Sequence, residues 1–169
     1  NERPGFMGHE RIHTIACELS EIEEKLSAEL KTNIYEYFFH FAWAGSAGLE
    51  RSDTVLQLQN AQWTVDALRL AKKLGCRRFI CAGSIMEHET IAAAYTQGNR
   101  PGLGYIYGSG KLVAHTMCMS VAADIGIELV WPVITNAYGV GESSPRMVNT
   151  AIRNCIRGES PKFTAGTQN

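Results

Sequence analysis

Apolar and polar positions along this chain switch between two periods. In "SEIEEKLSAEL" the apolar residues Ile22, Leu26 and Leu30 recur every four positions, which predicts a helix, and Ser20 with Glu23 has capping-box spacing. Before it, "RIHTIACEL" (residues 11–19) reads as a short strand running into a loop. "IYEYFFHFAW" (34–43) is aromatic and β-prone and predicts a strand. A long helix follows in "SDTVLQLQNAQWTVDALRLAKKLGC", capped at Ser52 or Asp53 and stopped at Gly75. "RRFICAGS" (77–84) predicts another strand. A loop with Gly98, Pro101, Gly102 and Gly104 leads to a helix over about 106–125, ending near Gly126. "IELVWPVI" (127–134) is a continuous apolar strand and "TNAYGVGESSP" a polar loop. "SPRMVNTAIRNCIRGE" predicts a last helix, with Pro145 in its first turn and Gly158 as its stop. No repeat, linker or low-complexity segment interrupts the order.

Strands alternating with helices predict an α/β fold, a Rossmann-like doubly wound parallel sheet covered on both faces. Ligands bind such sheets beyond the carboxyl ends of the strands. Chemistry-bearing residues therefore belong just after the strands, at 42–45, 83–87 and 135–139.

Composition narrows the function classes. Sixteen Lys and Arg against seventeen Asp and Glu leave a net charge of −1, with no basic excess for nucleic acid or an anionic membrane. No apolar run approaches the roughly 18 residues of a membrane span, and "NERPGFMGHE" lacks a signal-peptide core, so a cytoplasmic location is expected. The five cysteines are scattered with no CxxC pair, and the five histidines show no ligand spacing. Reduced thiols and no metal site are expected.

Within "GYIYGSGKLVAH", Tyr107 and Lys111 stand four residues apart and share one helix face. A tyrosine with its free pKa of about 10 is a poor base at neutral pH, and an ammonium beside it favours the phenolate. Such a phenolate can take a proton from an alcohol while hydride leaves the same carbon. Taken alone, the spacing also fits an exposed pair on a solvated face. Other residues point the same way. Ser84 follows an apolar strand and a small Ala-Gly pair in "FICAGS", where a hydroxyl can hold a substrate alcohol. Trp43 sits at a strand end in "FFHFAWAG", which suits a flat cofactor lying over the backbone. Asn60 shares a small-residue stripe with Thr64, Ala67 and Ala71, and a buried amide there needs a partner. "WPVITNAYGVGE" runs from a strand into a loop carrying Asn136 and Tyr138.

The order "HFAWAG", Asn60 with Thr64, "FICAGS", "YGSGK" and "TNAYGVGE" resembles the extended short-chain dehydrogenase/reductase family. Within it the chain is similar to the NAD-dependent epimerase/dehydratase group acting on nucleotide sugars. The resemblance runs from about residue 11 to the end. It implies Tyr107 as general base or acid, Lys111 as its partner and holder of the nicotinamide ribose, and Ser84 as the group orienting the substrate hydroxyl. It places Phe41, Ala42, Trp43, Ala44 and Gly45 along the cofactor, and Asn60 as a cofactor- or structure-linked amide. Glu18 and Leu19 match the segment bordering the adenine. Thr135 and Asn136 match the loop between nicotinamide and substrate, and Glu87 is a further candidate for substrate binding or proton transfer. The cofactor implied is NAD, with NADP as the alternative, and a homodimer through the helices at about 53–75 and 106–125. Ala61, Val65, Leu68, Val113, Met117 and Val121 would supply its stripe.

Ile85 departs from the family where many members carry a second hydroxyl, and Val133-Ile134 replaces the usual Arg-Pro. The Gly-rich G-x-x-G-x-x-G turn is not found before residue 11, so an internal fragment is expected: a partial Rossmann-like domain without the N-terminal phosphate-binding unit or the C-terminal substrate region. The expected activity is NAD(P)-dependent epimerisation or dehydration of a nucleotide sugar through a Ser-Tyr-Lys triad. The alternatives are an NADP-dependent carbonyl or alcohol reductase, or a truncated non-catalytic relative.

Overall fold

The structure, a computed structural model, describes residues 9–30, 35–96, 98, 100–139, 141 and 146–161. Two compact units divide it, Asn1–Ile134 and Thr135–Asn169.

In the first unit the elements run α1 (Ile22–Glu29), β1 (Tyr37–His40), α2 (Thr54–Lys73), β2 (Arg78–Cys81), β3 (Gly83–Ser84), α3 (Ile85–Tyr95), α4 (Tyr105–Ile125), β4 (Glu128–Val130) and β5 (Val133–Ile134). Short 3-10 turns at Leu19–Glu21 and Leu49–Ser52 precede α1 and α2. β1, β2 and β4 form one parallel sheet in the order β1-β2-β4, and β3 pairs in parallel with β5. Every strand-to-strand connection within these sheets is thus a crossover through a helix, as parallel pairing requires. No helix among the described residues is long and apolar enough to cross a membrane.

Register explains the core. Phe38, Phe79 and Leu129 lie side by side across the three strands. Period-two alternation puts them on one face, where they meet Val65, Leu68 and Ala71 of α2 and Cys118 and Ala122 of α4. Phe79 is fully buried and its ring stacks at 5.5 Å on Phe38. On the other face of β1, Tyr37, Phe39 and Phe41 form an exposed aromatic row, with ring centroids 6.5 and 5.9 Å apart.

Two glycines set how the helices pack around the sheet. A Cβ on Gly110 would lie 3.0 Å from the Gln57 carbonyl oxygen of α2, and one on Gly108 only 2.5 Å from the Met86 carbonyl oxygen of α3. Both belong to "YGSGK", so the motif that carries Tyr107 and Lys111 also lets α4 sit tightly between its neighbours. Asp53 caps α2 by accepting the Val55 and Leu56 N–H groups at 2.9 and 3.1 Å, one of the two expected caps. Gly75 and Gly126 turn the chain out of α2 and α4 with φ of 85° and 66°.

Several expectations are corrected. Residues 11–18 form no strand, and the Ser20 hydroxyl does not cap α1, which follows a 3-10 turn with Glu21 at its N-cap. The strand expected over 34–43 is ordered as a strand only at Tyr37–His40, residue 34 lying outside the described residues. "RRFICAGS" and "IELVWPVI" each break into two strands. Pro132 has no N–H to give a ladder, and its carbonyl accepts the Gly83 N–H at 2.9 Å, handing the chain to the β3–β5 pair. Helix α3 was not expected, although Ser84 and Glu87 form a complete capping box at its start. Ala61, Val65 and Leu68 are buried in the unit's own core, at 2, 5 and 0% exposure, and cannot supply an outward stripe for a partner. In the second unit α5 spans Met147–Ile156, with Met147, Ile152 and Ile156 exposed; Pro145 lies outside the described residues.

Gly108→Ala is expected to destabilise the protein by about 1–3 kcal/mol, because the added methyl drives into the α3 backbone. Alanine is the better helix former by about 1 kcal/mol, so an uncrowded site would respond in the opposite direction. Ser109→Ala on the exposed side of the same turn is the control, expected within about 0.5 kcal/mol of the parent in urea unfolding.

Candidate active site

β1 and β2 end together, His40 opposite Cys81, and the Ala82 N–H donates to the His40 carbonyl at 3.2 Å. Two loops leave this edge. The loop after β1 is held by α2. Asn60 accepts the Ala44 N–H at 2.8 Å and donates to the Ala44 and Leu56 carbonyls, both at 2.9 Å. Gln57 accepts the Trp43 indole N–H at 2.8 Å and donates to the Gly45 and Glu50 carbonyls at 3.1 Å. Gly45 has φ +65°, and a Cβ there would stand 2.8 Å from Glu50 and Leu56, so only glycine fits. Asn60 is therefore structural in this loop. Gln57 does equal work in it and was not singled out from the sequence, where it reads as one more polar helix residue.

Lys111 is 4% exposed and projects from α4 to the same edge. Its ammonium donates to the Ala82 carbonyl at 2.9 Å and lies 3.8 Å from the centre of the Trp43 ring. Burial lowers its pKa to about 8. Tyr107, one turn earlier, meets Trp43 edge-on at 6.1 Å, and the Arg51 guanidinium covers its ring at 4.1 Å. Arg51 comes from the turn before α2 and is steadied by donating to the Ser46 carbonyl at 3.0 Å. No motif marked it, because its role depends on a fold that brings the turn over α4.

Ser84 is half-buried at the head of α3, two residues beyond the carbonyl that Lys111 holds. Its hydroxyl oxygen accepts the Met86 N–H at 3.2 Å. Among the described residues no hydrogen bond joins Ser84, Tyr107 and Lys111 to one another; Ala82 and the α3–α4 contact bring them to one edge. Glu87 is 2% exposed and turned inward, toward His115 and Trp131, so it is not presented to a ligand. Phe41 and Ala42 are exposed at the edge, and Thr135 and Asn136 follow β5, exposed, at the start of the second unit. Glu18 and Leu19 lie in the turn before α1, where the Glu18 carbonyl accepts the Glu21 N–H at 3.0 Å.

Beneath the edge, Thr64 donates to the Asn60 carbonyl at 2.8 Å, which leaves its oxygen to accept from His40 Nε2 at 3.3 Å. Burial, and then the Lys111 charge, push the His40 pKa down to about 4. The Cys81 and Cys118 thiols are pushed up to about 12 by burial and stay protonated.

A parallel sheet with helical crossovers makes this a Rossmann-type α/β domain, and a buried lysine stands at its carboxyl edge. The NAD dependent epimerase/dehydratase family matches residues 2–169, and the chain belongs to it. Enzymes of this family use a nicotinamide dinucleotide. The chain is 26% identical over 163 residues to UDP-glucuronic acid decarboxylase 6 of Arabidopsis thaliana, covering 92% of this chain and 45% of the relative. Its fold resembles GDP-mannoheptose C4 reductase from Campylobacter jejuni with NADP bound (TM-score 0.60, 17% identity, 81% of this chain and 44% of that one). It also resembles UDP-glucuronic acid 4-epimerase from Bacillus cereus in complex with NAD (TM-score 0.56, 17% identity, 94% and 48%). The chain thus spans about half the length of these relatives.

The buried His40 gives a pH test. The unfolded chain takes up a proton near pH 6.5, whereas the folded one does so only near 4. Stability is therefore full above pH 6.5 and falls as pH drops toward 4, by up to about 3 kcal/mol from this group. His40→Gln is expected to flatten urea-unfolding stability between pH 6.5 and 4; a slope equal to the parent's would refute the assignment.

Proposed function

We propose that this chain carries the proton-transfer centre of an NAD(P)-dependent nucleotide-sugar enzyme, one that oxidises a sugar hydroxyl and then completes an epimerisation, dehydration or reduction. The observation that carries the reading is the buried Lys111, hydrogen-bonded to Ala82 at the carboxyl edge of the sheet. A buried ammonium is costly to hold. Here it stands one turn from a tyrosine at the ligand edge of a parallel sheet.

The residues present fit the nicotinamide half of a dinucleotide. Phe41 and Ala42 leave open backbone at the edge, the Asn60 and Gln57 bonds fix the loop beneath it, and Lys111 has two ammonium hydrogens beyond the one given to Ala82. Trp43, Ala44 and Gly45 continue that wall, while Glu18, Leu19 and Thr135 are assigned to it from the family pattern alone. When bound, the cofactor supplies the hydride acceptor.

Each residue then has a defined task. Ser84 holds the sugar hydroxyl through its unspent O–H and fixes its direction. Tyr107 takes the hydroxyl proton at its phenol oxygen and returns it when a carbonyl is reduced. Lys111 donates to a ribose hydroxyl and favours the phenolate by its charge. Asn136 is assigned to the sugar from the family pattern alone. The relatives' names, a UDP-glucuronate decarboxylase and 4-epimerase and a GDP-sugar reductase, support a nucleoside-diphosphate sugar as substrate class. A homodimer belongs to the same proposal, with the open groove between α2 and α4 (Gln62, Arg69, Met117, Ser120 and Val121) as its contact.

The test is cofactor reduction at 340 nm and product mass with a panel of UDP- and GDP-sugars. Tyr107→Phe is expected to lower kcat by about 10²–10⁴-fold. Affinity for NAD measured by calorimetry is expected to stay within about threefold of the parent, because the ring contacts remain. Full turnover by Tyr107→Phe would end the proposal.

A further inference from the structure

Glu87 has more partners than a helix cap requires. In a capping box the carboxylate needs only the N-cap N–H, and Glu87 Oε1 accepts the Ser84 N–H at 2.7 Å. The same oxygen also accepts the Trp131 indole N–H at 3.1 Å, and Oε2 pairs with His115 Nδ1 at 2.8 Å. These three donors come from three places: the start of α3, the link between β4 and β5, and α4. A residue 2% exposed with both oxygens occupied cannot meet a substrate without abandoning them.

The His115 end is equally constrained. Its ring lies parallel to Trp131, at 4.5 Å and 4° between planes, so its Nδ1 is aimed by stacking. His115 follows Lys111 by four residues and Tyr107 by eight, so all three share one face of α4. Gly83 leaves room for the arrangement: a Cβ there would stand 2.4 Å from the Trp131 nitrogen and 3.0 Å from Glu87 Oε1.

We propose that Glu87, braced by His115 and Trp131, is the positioning residue that sets where Ser84 stands against the Tyr107–Lys111 face of α4. The role rests on the reading of Ser84 as the hydroxyl that orients the substrate. Glu87 is not a catalytic residue on this view; it acts through the Ser84 backbone. The brace replaces a flexible loop-borne serine with one tied to the helix that carries the base.

Amide hydrogen exchange by NMR tests the brace on the chain itself, with no turnover required. The Ser84 N–H is compared with the Leu68 N–H in the core of α2, which reports general loss of stability. In Glu87→Ala and in His115→Ala, Ser84 exchange is expected to rise about tenfold beyond any rise at Leu68. His115→Asn, whose amide N–H can replace Nδ1–H without the stacked ring, is expected to restore protection. In turnover, His115→Ala is expected to lower kcat about tenfold with KM within twofold, and His115→Asn to recover most of it. Ser84 exchange unchanged in His115→Ala, or Asn behaving as Ala, would overturn the proposal. A parent without turnover on any nucleotide sugar would count against the function proposed above, while the exchange comparison would still decide the brace.

Discussion

One buried charge organises the carboxyl edge of the sheet. Lys111 has left water for a place between Trp43, Ala82 and the helices, and that burial lowers its pKa to about 8. Holding an ammonium there costs about 3 kcal/mol of stability at neutral pH, by comparison with the same group in the unfolded chain. The surroundings are built to meet that cost with fixed partners. The carbonyl it binds belongs to the residue just after β2, the ring beneath it is pinned by Gln57, and the loop carrying that ring is pinned by Asn60. Removing any of these leaves the charge with less to hold it.

Close approach makes that arrangement reachable. Lys111 can span from α4 to the sheet edge because Gly108 and Gly110 let the helix press against α3 and α2. The motif's two kinds of residue therefore have separate jobs: the tyrosine and lysine are the proposed proton-transfer pair, and the glycines set how closely the helix that bears them packs. The neutral His40 below Lys111 follows from the same crowding. A second cation there would face the first with little water between them, and the pKa near 4 keeps it uncharged across the physiological range.

How much of this was legible in the sequence depended on whether a feature was local. Helices α2 and α4 were read nearly to their ends, since caps, periodicity and terminal glycines are all written within one segment. The parallel sheet followed from the alternation of elements. The break between β4 and β5 was missed because an apolar run looks continuous, although Pro132 was the signal that it could not pair throughout. Helix α3 is marked in the sequence only by its capping box, because Ser84 both ends a strand and caps the helix and no loop separates the two elements. Residues 11–18 looked like a strand, but a strand needs a partner, and pairing is not written in one segment. At the site, Lys111 and its edge could be foreseen, while Arg51, Gln57 and His115 could not; each matters through a neighbour 14 to 56 positions away in the chain. Ala61, Val65 and Leu68 show the reverse error, in which a true apolar stripe was assigned to a partner when the unit's own core had already claimed it.

Strand β1 is only four residues long, yet its two sides answer to different demands. Phe38 and His40 point into the packed layer beneath the carboxyl edge; Tyr37 and Phe39 point the other way, into an aromatic row that Phe41 continues. Neighbouring positions in this stretch therefore meet separate physical constraints. A change at an even position is judged by the geometry of the edge, and a change at an odd position by whatever surroundings the aromatic row meets. Sequence drift here should have a period of two, so that divergence among relatives alters the outer surface of the strand while the inner one, about 3.3 Å away along the strand, stays fixed.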